Sequence, residues 1–97
     1  MSDKLWKATE RKIAKYLGGW RNPVHGSGAK CDVSTDILSI EVKEREQLPA
    51  LLRDALIEAK TNCEEGKIHC IVLHQKGQHI AKAMIIFELK DYRDWYI

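Results

Sequence analysis

The chain has no apolar run near the about 18 residues needed to cross a bilayer, and its N-terminus lacks the apolar core of a signal peptide. Both absences point to an intracellular protein with no membrane role. Cysteine is scarce and odd in number. Cys31, Cys63 and Cys70 cannot build a disulfide framework, which suits a reducing compartment. No Cys-x-x-Cys pair, internal repeat, low-complexity tract or linker is present. An excess of one charge is missing as well: a net +2 argues for no partner by itself, so the placement of the basic residues matters more. The remaining composition is that of a soluble globular protein. Its 97 residues are expected to form one domain, 1–97, with a modest core.

A first helix is expected from a cap at Ser2 or Asp3 to about Leu17, ended by Gly18-Gly19. At helical spacing Trp6, Ile13 and Leu17 share a narrow stripe, flanked by Thr9 and Ala14. Lys4, Lys7, Arg11, Lys12 and Lys15 take the opposite side. Glu10 breaks this division, because it falls inside the apolar stripe. A buried carboxylate is costly unless it is paired or bound to a cation. Either Glu10 meets a basic side chain at the edge of the stripe, or it faces a metal.

Trp20 to Val24 reads as a short extended segment, with Pro23 favouring a sheet edge. His25-Gly26-Ser27-Gly28-Ala29-Lys30 is a polar loop rich in donors, of a kind that lets a backbone approach a phosphate. The stretch from Asp32 to Lys43 reads as a hairpin. Leu38, Ile40 and Val42 alternate with Ser39, Glu41 and Lys43, so the two sets face opposite ways. A two-residue turn at Thr35-Asp36 would pair Ser34 with Ile37. Asp32 would then lie opposite Ser39, diagonal to Glu41 and on its face. That register holds only for this turn length.

In the second half, Pro49 suits the first turn of a second helix. Leu48, Leu52, Ala55, Leu56, Ala59 and Cys63 form one stripe, and Ile57 stands alone on the far side. Ile68 to His74 and Ile80 to Leu89 read as strands, with Met84 to Phe87 buried on both faces. Lys90 to Ile97 is expected as a short helix carrying Tyr92, Trp95 and Tyr96. The fold class is α/β (α+β), in the order helix, three strands, helix, two strands, short helix.

Asp32 and Glu41 offer hard oxygen ligands of the kind that hold Mg²⁺, or Mn²⁺ in its place. Lys43, two residues on, shares their face and can orient a water or neutralise developing charge. Asp32 followed by Glu41-Val42-Lys43 resembles the bipartite signature of the PD-(D/E)XK nuclease superfamily. More narrowly, Glu10, Gly19-Trp20-Arg21, Gly26-Ser27-Gly28, Asp32 and Glu41-Val42-Lys43 resemble the archaeal and viral Holliday junction resolvases. The resemblance implies a restriction-endonuclease-like core, αβββαββ(α), with a mixed sheet flanked by helices. It implies Asp32 and Glu41 as metal ligands, Lys43 as catalytic, Glu10 as a metal-site or acid–base residue, and Ser27 as a backbone contact. It also implies a homodimer that nicks four-way or branched DNA.

Arg21, His25 and Lys30 lie near the mouth of this expected site, and with the basic side of the first helix they can follow a DNA backbone. Nothing resembles a base-reading helix, so DNA structure would set selectivity. Three other readings stand beside this one. The charged hairpin face can be a solvated surface with cross-strand ion pairs. The chain can be another nuclease of the same superfamily, or a nucleic-acid-binding module without catalysis. A zinc site from Cys63, His69, Cys70 and His74 is disfavoured, because adjacent strand residues such as His69 and Cys70 point to opposite faces. Cys63 on its stripe and Cys70 in its strand are expected to be inert.

Overall fold

A computed structural model of the chain describes residues 2–22 and 31–97, with side chains from residue 7 onward. The element order is α1 (Ser2–Leu17), β1 (Trp20–Arg21), β2 (Val33–Ser34), β3 (Ser39–Ile40), α2 (Ala50–Thr61), β4 (Ile71–Leu73), β5 (Met84–Ile86) and α3 (Leu89–Tyr96). This is a small α+β protein in the expected order. Its described strands pair antiparallel throughout, in one sheet of order β1-β2-β3 and another of β4-β5, so the expected mixed sheet is not formed among the described residues. Its internal contacts fall into two compact units, Met1–Glu46 and Gln47–Ile97.

In the first unit, α1 ends where its glycines require. Gly18 adopts a left-handed conformation (φ 72°). Gly18 N then donates to Lys15 O (3.3 Å) and Gly19 N to Ala14 O (2.8 Å), the paired bonds of a Schellman cap. Gly19 also lets β1 lie close to β2. A Cβ there would stand 2.1 Å from the Ser34 carbonyl oxygen, so no other residue fits without moving backbone. The stripe on α1 is inward as expected, with Ala14, Leu17 and Glu10 buried and Ile13 half-buried. Arg11, Lys12 and Lys15 are exposed, while Lys7 is half-buried. Val33 on β2 is wholly enclosed and forms the centre of this unit.

The hairpin of β2 and β3 differs from the expected register. Ser34 pairs with Ser39 and Val33 with Ile40, so the connection runs from Thr35 to Leu38 and not through two residues. The Thr35 side chain decides this. Its Oγ1 accepts from Ile37 N (3.2 Å) and Leu38 N (3.0 Å), and Thr35 N donates to Leu38 O (3.0 Å). A hydroxyl that serves two turn amides favours the longer loop. The slip is two residues, so the alternation from Leu38 to Lys43 keeps its two faces. Leu38, Ile40 and Val42 are half-buried and Ser39, Glu41 and Lys43 exposed.

In the second unit, α2 begins after Pro49 and packs against β4. Its stripe is half-buried at Leu52, Ala55, Leu56, Ala59 and Cys63, whereas Ile57 is exposed and so is Leu48, an expected member of the stripe that precedes the helix. The expected strand from Ile80 is shorter than its apolar run suggests. Ile80–Lys82 form a 3-10 turn, which His79 caps by accepting from Ala81 N (3.0 Å). Met84 and Ile85 are exposed, so the expectation of burial on both faces is corrected: Ile85 and its partner Val72 lie on an open face of the two-stranded ladder, and Met84 stands at its end. Cys70 is exposed for the same reason. His74 closes the intervening turn through Gln78 O (2.7 Å).

Candidate metal and nucleic-acid site

Glu10 enters the interior because its position on α1 leaves it no other direction. It is 3% exposed, and its Oε1 accepts from Arg21 Nε at 2.6 Å. The cation that compensates this carboxylate is therefore the guanidinium of β1. Charge pairing in a closed interior explains why an acidic residue sits in an apolar stripe.

Asp32 follows from the hairpin. Its backbone N donates to Ile40 O (3.0 Å), although Ile40 is already opposite Val33. Two residues of this strand thus face one of β3, which is a bulge. The bulge turns the Asp32 carboxylate onto the main chain across the hairpin, where Oδ2 accepts from Val42 N at 2.8 Å. The Asp32 carboxylate thus lies at the main chain of Val42, whose sequence neighbours Glu41 and Lys43 have exposed side chains. On the other side, the β1–β2 ladder continues to Asn22 N and Asp32 O (2.9 Å). The aspartate is gripped from both flanking strands.

Buried Asn22 ties this corner together. Its Nδ2 donates to Cys31 O (3.1 Å), Ser34 Oγ (2.9 Å) and the Cys31 sulfur (3.3 Å). Hydrogen bonds from Ser34 and then Ser39 hold the Cys31 thiol below the ordinary thiol range. The sequence reading overlooked both Asn22 and Cys31. Cys31 adjoins the aspartate, but only the folded hairpin gives it hydroxyl partners.

Two carboxylates of this region, Asp32 and Glu41, are the groups that could hold a hard divalent ion. Mg²⁺ binds through one or two carboxylates together with waters and phosphate. Asp32 Oδ1 makes no hydrogen bond among the described residues, and Glu41 is exposed, so both retain donor capacity. Glu10, Asp32 and Glu41 do not converge as a three-ligand group among the described residues. Ser27, His25 and Lys30 lie outside the described residues. Arg21 is inside them, turned to Glu10 with a side chain 20% exposed.

A different trio does converge: His69, Glu88 and Asp91 in the second unit. The same unit has an apolar hollow of about 180 Å³, lined by Ile68, Cys70, Ile85, Phe87 and Trp95, with no acid, base or nucleophile apart from the thiol. Set against known proteins, the chain matches no family model, no curated protein and no solved structure. No helix among the described residues is long and apolar enough to cross a membrane.

Proposed function

We propose that the chain is a metal-dependent, structure-selective DNA endonuclease of the junction-resolving kind, with a restriction-endonuclease-like core. The observation that carries this reading is the hydrogen bond from Val42 N to Asp32 Oδ2, which fixes one carboxylate against the Glu41-Val42-Lys43 segment. Asp32 and Glu41 would hold Mg²⁺, with Mn²⁺ as a substitute. The bound ion would lower the pKa of a water and polarise the scissile phosphate.

The chain's own groups supply the rest. Asp32 keeps one oxygen on the backbone and presents the other, so its orientation is set before substrate arrives. Lys43, exposed beside Glu41, positions the attacking water or neutralises charge on the phosphoryl oxygens. Glu10 acts through Arg21, holding β1 against α1 so that the strand carrying Asp32 is rigid. Arg11, Lys12 and Lys15, which are exposed, follow the DNA backbone, and by the resemblance His25, Lys30 and Ser27 add substrate contacts. A homodimer would place two such sites on one symmetric four-way junction inside the cell.

The same exposed basic face favours a second reading, a nucleic-acid-binding module without catalysis. One experiment separates the two. Pure protein is incubated with a labelled four-way junction, a nicked duplex and a plain duplex, with and without Mg²⁺. Junction-selective, metal-dependent cutting is expected. Asp32→Asn and Glu41→Gln should lower it by at least about a hundredfold, the scale of one lost electrostatic contact to the transition state, with DNA binding retained. Cutting of all three substrates alike would keep a nuclease and discard the resolvase. Salt-sensitive binding without cleavage would leave the module.

A further inference from the structure

We propose that His69, Glu88 and Asp91 form a second cation site in the chain, one suited to a divalent transition metal such as Zn²⁺ and not to Mg²⁺. The inference concerns the second unit alone and does not rest on the nuclease reading. Its origin lies in two simple periodicities. The β4–β5 register pairs Ile71 with Ile86, and continued outward by two residues it sets His69 across from Glu88. Asp91 follows Glu88 by one helical turn, so α3 returns its side chain to the same side. One imidazole and two carboxylates therefore meet where the ladder runs into the helix, with their ligand atoms all within 4.8 Å of one another.

Two observations separate this group from an ordinary acidic helix start. Carboxylates at a helix N-terminus usually serve its free amides, yet Glu88 is the N-cap residue and makes no side-chain cap bond. Glu88 contributes its backbone oxygen instead, which accepts from Asp91 N (3.0 Å) and Tyr92 N (3.3 Å). Secondly, an imidazole so near two carboxylates would ordinarily hydrogen-bond one of them. None of the three side chains has a hydrogen bond or ion pair among the described residues. Their ligand atoms lie within 4.8 Å of one another, and an ion with bonds of about 2.0–2.2 Å would draw them to some 3.4 Å. A divalent ion would also relieve the repulsion between Glu88 and Asp91.

The donor set chooses the metal class. Imidazole nitrogen favours zinc and its neighbours over magnesium, while carboxylates accept either. Three protein ligands leave a position for water. His69 and Asp91 are half-buried and Glu88 exposed, so an ion can enter from solvent. Binding would clip the start of β4 to the first turn of α3, the helix on which Tyr92 and Tyr96 stack at 5.3 Å.

The test is a calorimetric titration of the metal-free full chain with Zn²⁺, accompanied by NMR of the histidine rings. Zn²⁺ is expected to bind with a shift of the His69 ring, and Mg²⁺ at matched concentration should leave that ring unshifted. His69→Gln and Asp91→Asn should each weaken Zn²⁺ binding by at least the about tenfold to hundredfold that outer partners of metal ligands are worth. Glu88→Gln changes an exposed side chain, so it provides the same comparison in a protein that stays folded. Asp32→Asn should leave Zn²⁺ affinity unchanged, which keeps this result separate from that of the cleavage assay. Unaltered affinity in the His69 and Glu88 variants, or a shift at His74 or His79 in place of His69, would overturn the site.

Discussion

In the first unit a side chain can be followed into a closed interior, whereas in the second every described residue keeps some contact with water. Val33 has no exposed surface, Ala14, Leu17 and Glu10 are nearly as buried, and Arg21, which pairs with Glu10, is half-buried. In the second unit Val72 and Ile85, cross-strand partners in the centre of the β4–β5 ladder, are 59% and 62% exposed. The first unit is thus fixed by enclosure, the second by a ladder, a helix on one of its faces and stacked aromatics. Enclosure makes a polar group expensive unless it is satisfied, which is why the first unit has specific bonds around Glu10, Asn22 and Asp32. The open unit has no such demand, and ligand-type side chains can stand together there without partners.

The largest expected effect breaks the enclosed pair. Arg21→Ala would leave the Glu10 carboxylate buried without its guanidinium and should cost about 3–5 kcal/mol. For a chain of this size that is a large part of the total stability of about 5–15 kcal/mol, and urea denaturation would register it as a lower midpoint. An unchanged midpoint would mean that Glu10 reaches water, and that the two units do not differ as described.

A matched pair of truncations sharpens the contrast at smaller scale. Val33→Ala removes enclosed methyl groups and should cost about 2 kcal/mol, whereas Val72→Ala should stay within about 0.5 kcal/mol. Equal losses in denaturant titrations would show that the open face of the second unit is covered in solution.

The smallest effect is on reactivity. Cys31 has hydroxyl partners in the first unit, while Cys63 and Cys70 are without a serine at the sulfur. A depressed pKa means that the thiolate is populated at lower pH, so alkylation of Cys31 followed against pH should rise earlier than that of an ordinary thiol. Ser34→Ala removes the leading cause and should move the rise to higher pH. An identical profile in that variant would remove the hydroxyl from the explanation.

Much of this was legible along the chain. The end of α1 at Gly18-Gly19, the start of α2 after Pro49 and the alternation from Leu38 to Lys43 depend on near neighbours and appear where the residue pattern puts them. So does the anomaly at Glu10, since helical spacing alone turns it inward. Its partner was not legible, because Arg21 approaches only when β1 folds back on α1. The turn length was missed because a threonine hydroxyl bound two amides that a two-residue turn would have lacked. The apolar run Met84–Phe87 suggested a doubly covered strand, but apolar residues are buried only where something packs on them, and one face of the ladder is open.

The hairpin and the trio at β4 and α3 divide along the same line. Residue order by itself determined that Asp32, Glu41 and Lys43 share a strand region and that Glu10 needs a cation, because periodicity and charge burial are local and one-dimensional. Tertiary structure decided which cation Glu10 meets, that a bulge turns Asp32 onto Val42, and that His69 stands beside Glu88 and Asp91. Those outcomes depend on register between segments far apart in the chain, and register is set by the sum of many weak contacts across the ladder.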